Sequence, residues 1–284
     1  MTDYSFSVHL PVSLVADSSD LRMKTLKLGQ VGRYLSIFRV DNLFIYDDYA
    51  DKVENPQEEG SLMMDLLSYM ETPQYLRKDL FPRKEELRFV GILPPLRTPH
   101  HPLRDEKNEK GDIREAAVIS CDKGQSILNI GLSDEGVVGE ELEEETRVTV
   151  RLGEKVAGNK RKVQIVRKSE VSQYWGFNIE KTKNISQSLK KANPDYSIGT
   201  SRYGQNLYEA VEGIKSNEAA KKLAVTFGGP YEGIYGICEK QDVGPDDLFD
   251  EIINTIPEQG SKTVRSEEAL AATLAVLNVQ VRRK

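Results

Sequence analysis

The chain has 284 residues, with 39 Lys and Arg against 45 Asp and Glu and a formal net charge of -6. That length suits one large domain or two small ones, while no apolar run is long enough to span a bilayer and the N-terminus lacks the basic-then-apolar pattern of a signal peptide. Cys121 and Cys238 stand far apart, form no metal-ligand pattern and fit two free thiols in a reducing, cytoplasmic setting.

From Ser5 to Leu14 the residues alternate as in a strand. Leu21 to Phe38 reads as an amphipathic helix, and Leu43-Phe44-Ile45-Tyr46 as a buried strand ending in Asp47-Asp48. Together they make a βαβ unit, which implies a right-handed parallel crossover. Residues 61–71 repeat Leu62, Met63, Leu66, Leu67 and Met70 at helical spacing, and the methionines are expected to fill core rather than line a groove. Pro94-Pro95 and Thr98-Pro99-His100-His101-Pro102 then break the rhythm and mark a boundary. Adjacent histidines rarely converge on one ion, Asp105 is the only acid close by and no Cys is near, so no metal site is expected.

The segment that follows, to about Tyr174-Trp175-Gly176, is rich in short strands and charge, as a five-stranded barrel would be. The expected organisation is therefore residues 1–93 and 176–284 as one α/β domain, with 94–175 inserted as a small β domain. An acidic block, Glu140-Glu141 and Glu143-Glu144-Glu145, precedes a basic stretch holding Arg151, Lys155, Lys160, Arg161, Lys162, Arg167 and Lys168. Alternation on both sides of Gly158-Asn159 reads as a hairpin. Two readings stand open: a solvated hairpin whose lysines guard its edges, or a surface for nucleic acid, since local charge counts for more than net charge.

After Phe177 the α/β rhythm returns. Asp195 to Gly199 reads as a strand that leaves into a loop, Thr200-Ser201-Arg202-Tyr203-Gly204. Lys222 to Phe227 reads as a buried strand broken by Gly228-Gly229-Pro230. Ile252 to Ile256 runs into Pro257-Glu258-Gln259-Gly260-Ser261. A helix then begins near Ser266, a candidate N-cap, with Glu267 and Glu268 in its first turn and Ala269, Leu270, Thr273, Leu274 and Leu277 on one stripe. Such strand ends are either ordinary connections or the crevice where open α/β sheets bind cofactors. A phosphate loop is excluded, because Gly260-Ser261-Lys262-Thr263 has no glycine directly before its lysine and none at the required upstream position. No Gly-x-Gly-x-x-Gly follows a strand, so an adenosyl cofactor without phosphates is favoured over a nucleoside triphosphate or a dinucleotide.

FGGP at 227–230, NTIPEQGSKTVRSEEA from Asn254, SIFRVDNLFIYDD from Ser36 and METPQYLRKDLFPRKEELRFVGILPPLRTPHH from Met70 together resemble the archaeal and eukaryotic branch of the SPOUT-class RNA methyltransferases. That branch is associated with N3-methylation of a uridine in large-subunit ribosomal RNA. The resemblance covers nearly the whole chain. It implies a homodimer that uses S-adenosyl-L-methionine (SAM), with a parallel sheet, a C-terminal deep trefoil knot and an OB-like inserted domain. It also implies cofactor contacts from Thr200 and Ser201, from Gly228 and Gly229, and from Asn254, Thr255, Ile256, Pro257, Gln259, Gly260, Thr263 and Val264. It favours RNA binding by Lys155, Lys160, Arg161, Lys162, Arg167 and Lys168, and a domain-junction or RNA role for His100 and His101. The family pattern has an acidic residue and then Arg-Gly where this chain reads Ser201-Arg202-Tyr203-Gly204, so the resemblance carries no role onto Arg202.

A sulfonium methyl is already activated, so the protein's task is alignment. The acceptor differs, because an imide nitrogen must lose its proton. A base helps, and a guanidinium can stabilise the developing anion. Arg265 and Arg22 are the candidates for orienting uridine or phosphate, with Arg202 a third; Glu268 is the candidate proton acceptor, or else only a dipole-compensating glutamate. The competing reading is a non-catalytic RNA-binding or ribosome-assembly protein that keeps the cofactor fold.

Overall fold

The structure, a computed structural model, describes residues 4–103, 106–217 and 220–281; Asp105 lies outside the described residues. The elements in chain order are β1 (Ser5–Pro11), α1 (Leu21–Ile37), β2 (Asn42–Tyr46), α2 (Pro56–Glu71), β3 (Ile113–Asp122), β4 (Gln125–Asn129), β5 (Glu135–Val138), β6 (Arg147–Val156) and β7 (Lys160–Ile165). There follow β8 (Asn178–Thr182), α3 (Ile185–Ala192), β9 (Tyr196–Asn206), α4 (Leu207–Ser216), β10 (Lys222–Thr226), α5 (Ile234–Lys240), β11 (Glu251–Asn254) and α6 (Ser266–Val281). The chain divides into two compact units. The first runs to Ser68, resumes over Glu86–Pro94 and continues from Phe177; the second comprises Tyr69–Glu85 and Pro95–Gly176. The barrel unit thus takes in a segment, Tyr69–Glu85, that composition alone groups with the first part of the chain.

The first unit is a six-stranded sheet in the order β11-β9-β10-β1-β2-β8, every neighbouring pair parallel. The expected βαβ unit opens it: α1 begins where the Asp20 carboxylate accepts from the Met23 amide at 2.9 Å, and β2 returns beside β1 with Ser7 opposite Asn42. β1 stops at Pro11 rather than Leu14, because Val12–Val15 tightens into a 3-10 turn. α2 starts at Pro56, earlier than its apolar stripe indicates; proline suits the first helical position and the Asn55 side chain accepts from the Glu58 amide at 3.2 Å. Met63 and Met70 are buried, as core filler should be. No helix among the described residues is long and apolar enough to cross a membrane.

The second unit holds a closed five-stranded barrel, β3-β4-β5-β7-β6, with β3 paired antiparallel to β6 and β5 parallel to β7. Ala116, Val118, Leu128, Ile130, Val138, Val150, Leu152 and Val163 fill its interior. The expected hairpin is β6 and β7, and both Gly158 and Asn159 take positive φ in its turn. A buried ionic network stands beside the apolar core. Arg147 pairs with Glu71 and Glu115, and Glu115 also accepts from Trp175 Nε1 and from Thr149 Oγ1 at 2.6 Å. Burial opposes the charge on Glu71, but the Arg147 guanidinium and His100 outweigh it and hold the carboxyl down to about 2.

Candidate active site

Neighbouring strands β11, β9 and β10 run parallel, so their carboxyl ends open on one side of the sheet, where α/β folds place ligands. The first end differs from the expected loop. Thr200–Gly204 lies within β9 as a bulge: Gly199 pairs with Ile252 and Gln205 with Ile253, which extrudes the residues between. Gly204 makes this possible, because a β-carbon there would sit 2.5 Å from the Ile253 carbonyl carbon. Thr200 Oγ1 donates to the Thr226 carbonyl at 3.0 Å, and Asn254 Nδ2 donates to the Arg202 carbonyl at 3.0 Å, tying the bulge to both flanking strands. The Arg202 guanidinium reaches the Lys262 carbonyl at 3.3 Å and stacks over the Tyr203 ring at 4.6 Å.

The second end is held from below. Tyr46 donates its hydroxyl to the Phe227 carbonyl at 2.6 Å, and the Gly229 amide donates to the Glu232 carbonyl at 2.8 Å. A β-carbon on Gly228 would meet Gly233 Cα at 2.9 Å, and one on Gly229 would fall 2.2 Å from Ser13 Oγ. Ser13 is itself bonded through hydroxyl and amide to buried Asp48, at 2.5 and 3.2 Å. Burial pushes the Asp48 carboxyl up, against the pull of those Ser13 bonds.

The third end continues from β11. The Ile256 amide donates back to the Asn254 side chain at 2.9 Å, and Gln259 donates to the carbonyls of Ser261 and Lys262 at 3.0 and 3.3 Å. Ser266 is not the N-cap of α6. Its hydroxyl donates instead to the Gly228 carbonyl at 3.1 Å, joining the second loop to the helix start. Arg265 takes the cap position: its carbonyl accepts from Ala269 at 2.9 Å, and its amide donates to the Glu268 carboxylate at 2.9 Å.

The three ends enclose a cavity of about 400 Å³, within the range of small-molecule sites. Thr200, Ser201, Gly228, Gly229, Asn254, Thr255, Ile256, Gln259, Thr263 and Val264 line it; Pro257 and Gly260 do not. A β-carbon on Gly260 would have no atom within 4 Å, so nothing requires glycine there. Arg22, Arg265 and Glu268 are also absent from the wall. Arg22 is exposed on the first turn of α1, while Arg265 and Glu268 cap α6. Sequence reasoning missed the wall from Pro230 to Gly236, with Tyr231, Glu232 and Tyr235 on it. The signal available was the third glycine, Gly233, which prolongs the turn beyond Pro230. Arg202, only the third candidate from sequence, is the one cation of the lining among the described residues.

Outside the cavity, the barrel separates the basic residues. Lys155, Lys162 and Arg167 are exposed, and Lys160 and Lys168 half-buried. Arg161 is 4% exposed; it donates to the Asn108 carbonyl at 2.6 Å and lies 3.3 Å from Asp134, so it is a core residue and not part of a basic surface. His100 is wholly buried, and both His100 and His101 donate through Nε2 to the Glu71 carbonyl, at 3.1 and 2.7 Å. Desolvation, with His100 beside it, lowers His101 to about 3. In this arrangement both histidines are tied to the C-terminal end of α2 within the barrel unit. Among the described residues no group of three or more His, Cys, Asp or Glu could hold a metal.

A family model described as "Putative RNA methyltransferase" matches residues 5–277. The chain belongs to this RNA methyltransferase family. The 28S rRNA (uridine-N(3))-methyltransferase of Mus musculus is 31% identical to this family member over 96% of the present chain and 76% of that protein. The Homo sapiens protein of the same name is 31% identical over 96% and 78%. An uncharacterized protein of Halobacterium salinarum is 32% identical over 96% and 98%, nearly end to end. For a member of an RNA methyltransferase family, the cavity at the β9, β10 and β11 ends is the place to look for the methyl donor.

Proposed function

We propose that this protein transfers a methyl group from SAM to N3 of a uridine in large-subunit ribosomal RNA, acting as a homodimer. The observation that carries the reading is the cavity built where the β9 bulge meets the loops after β10 and β11, in a chain of the RNA methyltransferase family. Its walls fit SAM. The Gly228-Gly229 turn leaves its backbone bare, Asn254, Thr255 and Gln259 supply polar contacts, and Ile253, Ile256, Val264 and Ala269 supply an apolar face. The mammalian relatives are named for uridine-N3 methylation of 28S rRNA, which supports the acceptor.

When bound, SAM supplies an activated methyl on sulfur. The remaining work falls to the chain. The loops hold the donor, and Arg202, which lines the cavity and reaches the Lys262 carbonyl, orients the acceptor by holding a uracil carbonyl oxygen as charge gathers there.

The finer fold belongs to the same reading. A SPOUT-type catalytic domain with a C-terminal trefoil knot is supported by the sheet order, in which β11 comes after β10 in the chain but lies beyond β9. An OB-like insert is supported by a closed five-stranded barrel with an antiparallel β6–β7 hairpin carrying exposed lysines. Exposed Met23 on α1 and Val279 on α6, two helices that pack together, support a dimer face.

Calorimetry with SAM, using ATP and NAD as controls, tests the donor. Mass spectrometry of unmodified large-subunit rRNA treated with protein and SAM tests the product. Selective SAM binding and new 3-methyluridine are expected; folded, dimeric protein that binds no SAM with or without RNA would overturn the reading.

A further inference from the structure

Removing the N3 proton of uridine needs an acceptor, and Glu268 is committed to the Arg265 amide outside the cavity. Among the described residues that line the cavity there is one carboxylate, Glu232, and no histidine. We infer that Glu232 is the general base of the reaction, an assignment that rests on the uridine-N3 reading above.

The side chain is held by one oxygen and free at the other. Glu232 Oε1 lies 2.7 Å from Lys240 Nζ, and Lys240 is anchored in turn by Asp51 at 2.8 Å and the Tyr49 carbonyl at 3.3 Å. Glu232 Oε2 is buried and has no hydrogen-bond partner. A buried acceptor left without a donor is uncommon and calls for an explanation, of which a catalytic role is one. Here the missing donor would be the imide N–H of the substrate. Gly236 lines the cavity next to this side chain: a β-carbon there would stand 3.8 Å from Oε2, at ordinary contact distance. The backbone adds rigidity, since the Glu232 carbonyl accepts from the Gly229 amide and so ties the base to the glycine cradle.

The step balances. The N3 proton passes to the Glu232 carboxylate, and the electron pair it leaves forms the new N–methyl bond. As that bond forms, the methyl–sulfur bond breaks and its pair stays on sulfur as a neutral thioether. Glu232 then gives the proton to water. Arg202 carries the complementary task at the carbonyl oxygen.

The test is Glu232→Gln in the full-length protein, with single-turnover formation of 3-methyluridine on unmodified large-subunit rRNA followed from pH 6 to 10 and SAM affinity measured in parallel. The expected result is a rate at neutral pH lower by about 100-fold or more. SAM affinity should be unchanged, and the variant's rate should climb towards alkaline pH as uridine ionises unaided. Glu232→Asp, which keeps a carboxylate but withdraws it, should fall between the two and retain the wild-type pH profile. It serves as the second variant should the glutamine protein fail to fold. A Glu232→Gln protein as fast as wild type overturns the assignment alone. So does one whose SAM affinity drops tenfold while its rate at saturating SAM persists, for then the carboxylate holds the donor. Wild-type protein that binds SAM yet forms no 3-methyluridine overturns both the uridine reading and the base that rests on it.

Discussion

Gly228 and Gly260 look alike in the sequence, each a glycine in a loop assigned to the cofactor, but the structure separates them. A β-carbon on Gly228 would lie 2.9 Å from Gly233 Cα and 3.1 Å from both the Glu232 carbonyl oxygen and the Gly233 carbonyl carbon. All three obstacles are backbone, so no rotamer relieves them and the 228–233 turn must move. Overpacking of this kind costs about 1–3 kcal/mol. If the turn regains its shape only when the donor binds, that cost appears as SAM affinity weakened by about 5- to 150-fold. Alanine at 260 meets nothing within 4 Å and should leave affinity within about twofold. Calorimetric titration of Gly228→Ala and Gly260→Ala with SAM, alongside thermal melts, separates lost binding from lost fold. Folded Gly228→Ala protein that binds SAM like wild type, or Gly260→Ala protein weakened tenfold, would refute the cradle argument.

Other outcomes follow from the barrel and the sheet. Lys160→Glu with Lys162→Glu should weaken RNA binding and reduce the slope of log affinity against log salt by about two, with SAM affinity untouched; an unaltered slope places the RNA surface elsewhere. Arg161→Ala should act on stability instead, costing about 3 kcal/mol in urea unfolding, because it strands the Asn108 carbonyl and Asp134; a normal melt with weakened RNA binding would return Arg161 to the surface. His9, stacked on Phe44 and bonded to Ser188 Oγ at 2.5 Å, is lowered by burial from 6.5 to about 3. Below pH 6.5 the unfolded chain therefore takes up a proton that the native state refuses. Stability falls as pH drops towards 3, by up to about 1.4 kcal/mol per pH unit. His9→Asn should remove roughly one proton from that dependence, and equal slopes for both proteins would contradict the assignment.

The elements most legible in the sequence are those whose periodicity agrees with their burial. The βαβ start and the β6–β7 hairpin are of this kind, and so are β10 and β11, which stop at Thr226 and Asn254, one and two residues before their apolar runs do. The misplacements have local physical causes. Thr200–Gly204 reads as a loop because its glycine and polar residues look like one. That it remains inside β9 depends on the Ile253 backbone of a strand far along the chain. Arg161 was legible and was misread: in a strand it shares a face with Val163, so alternation places it inwards whatever the charge count says. His100 and His101 could not be placed, because their partner is the Glu71 carbonyl on a preceding helix. Arg202 and Glu232 emerge only once strand ends distant in sequence meet around one cavity.

The position of β1 has a consequence for how the chain is made. It lies at the centre of the sheet between β2 and β10, and Ser7 bonds Leu223 from 216 residues away. At about 5–20 residues per second, β1 waits roughly 10–40 s on the ribosome before β10 exists. Until then one side of the growing sheet is an unpaired, apolar edge, the kind of surface that recruits stray strands. The strand ends around the cavity, the proposed methyltransferase site, are the last part of the sheet to be translated, so a nascent chain can display its barrel before that cavity exists.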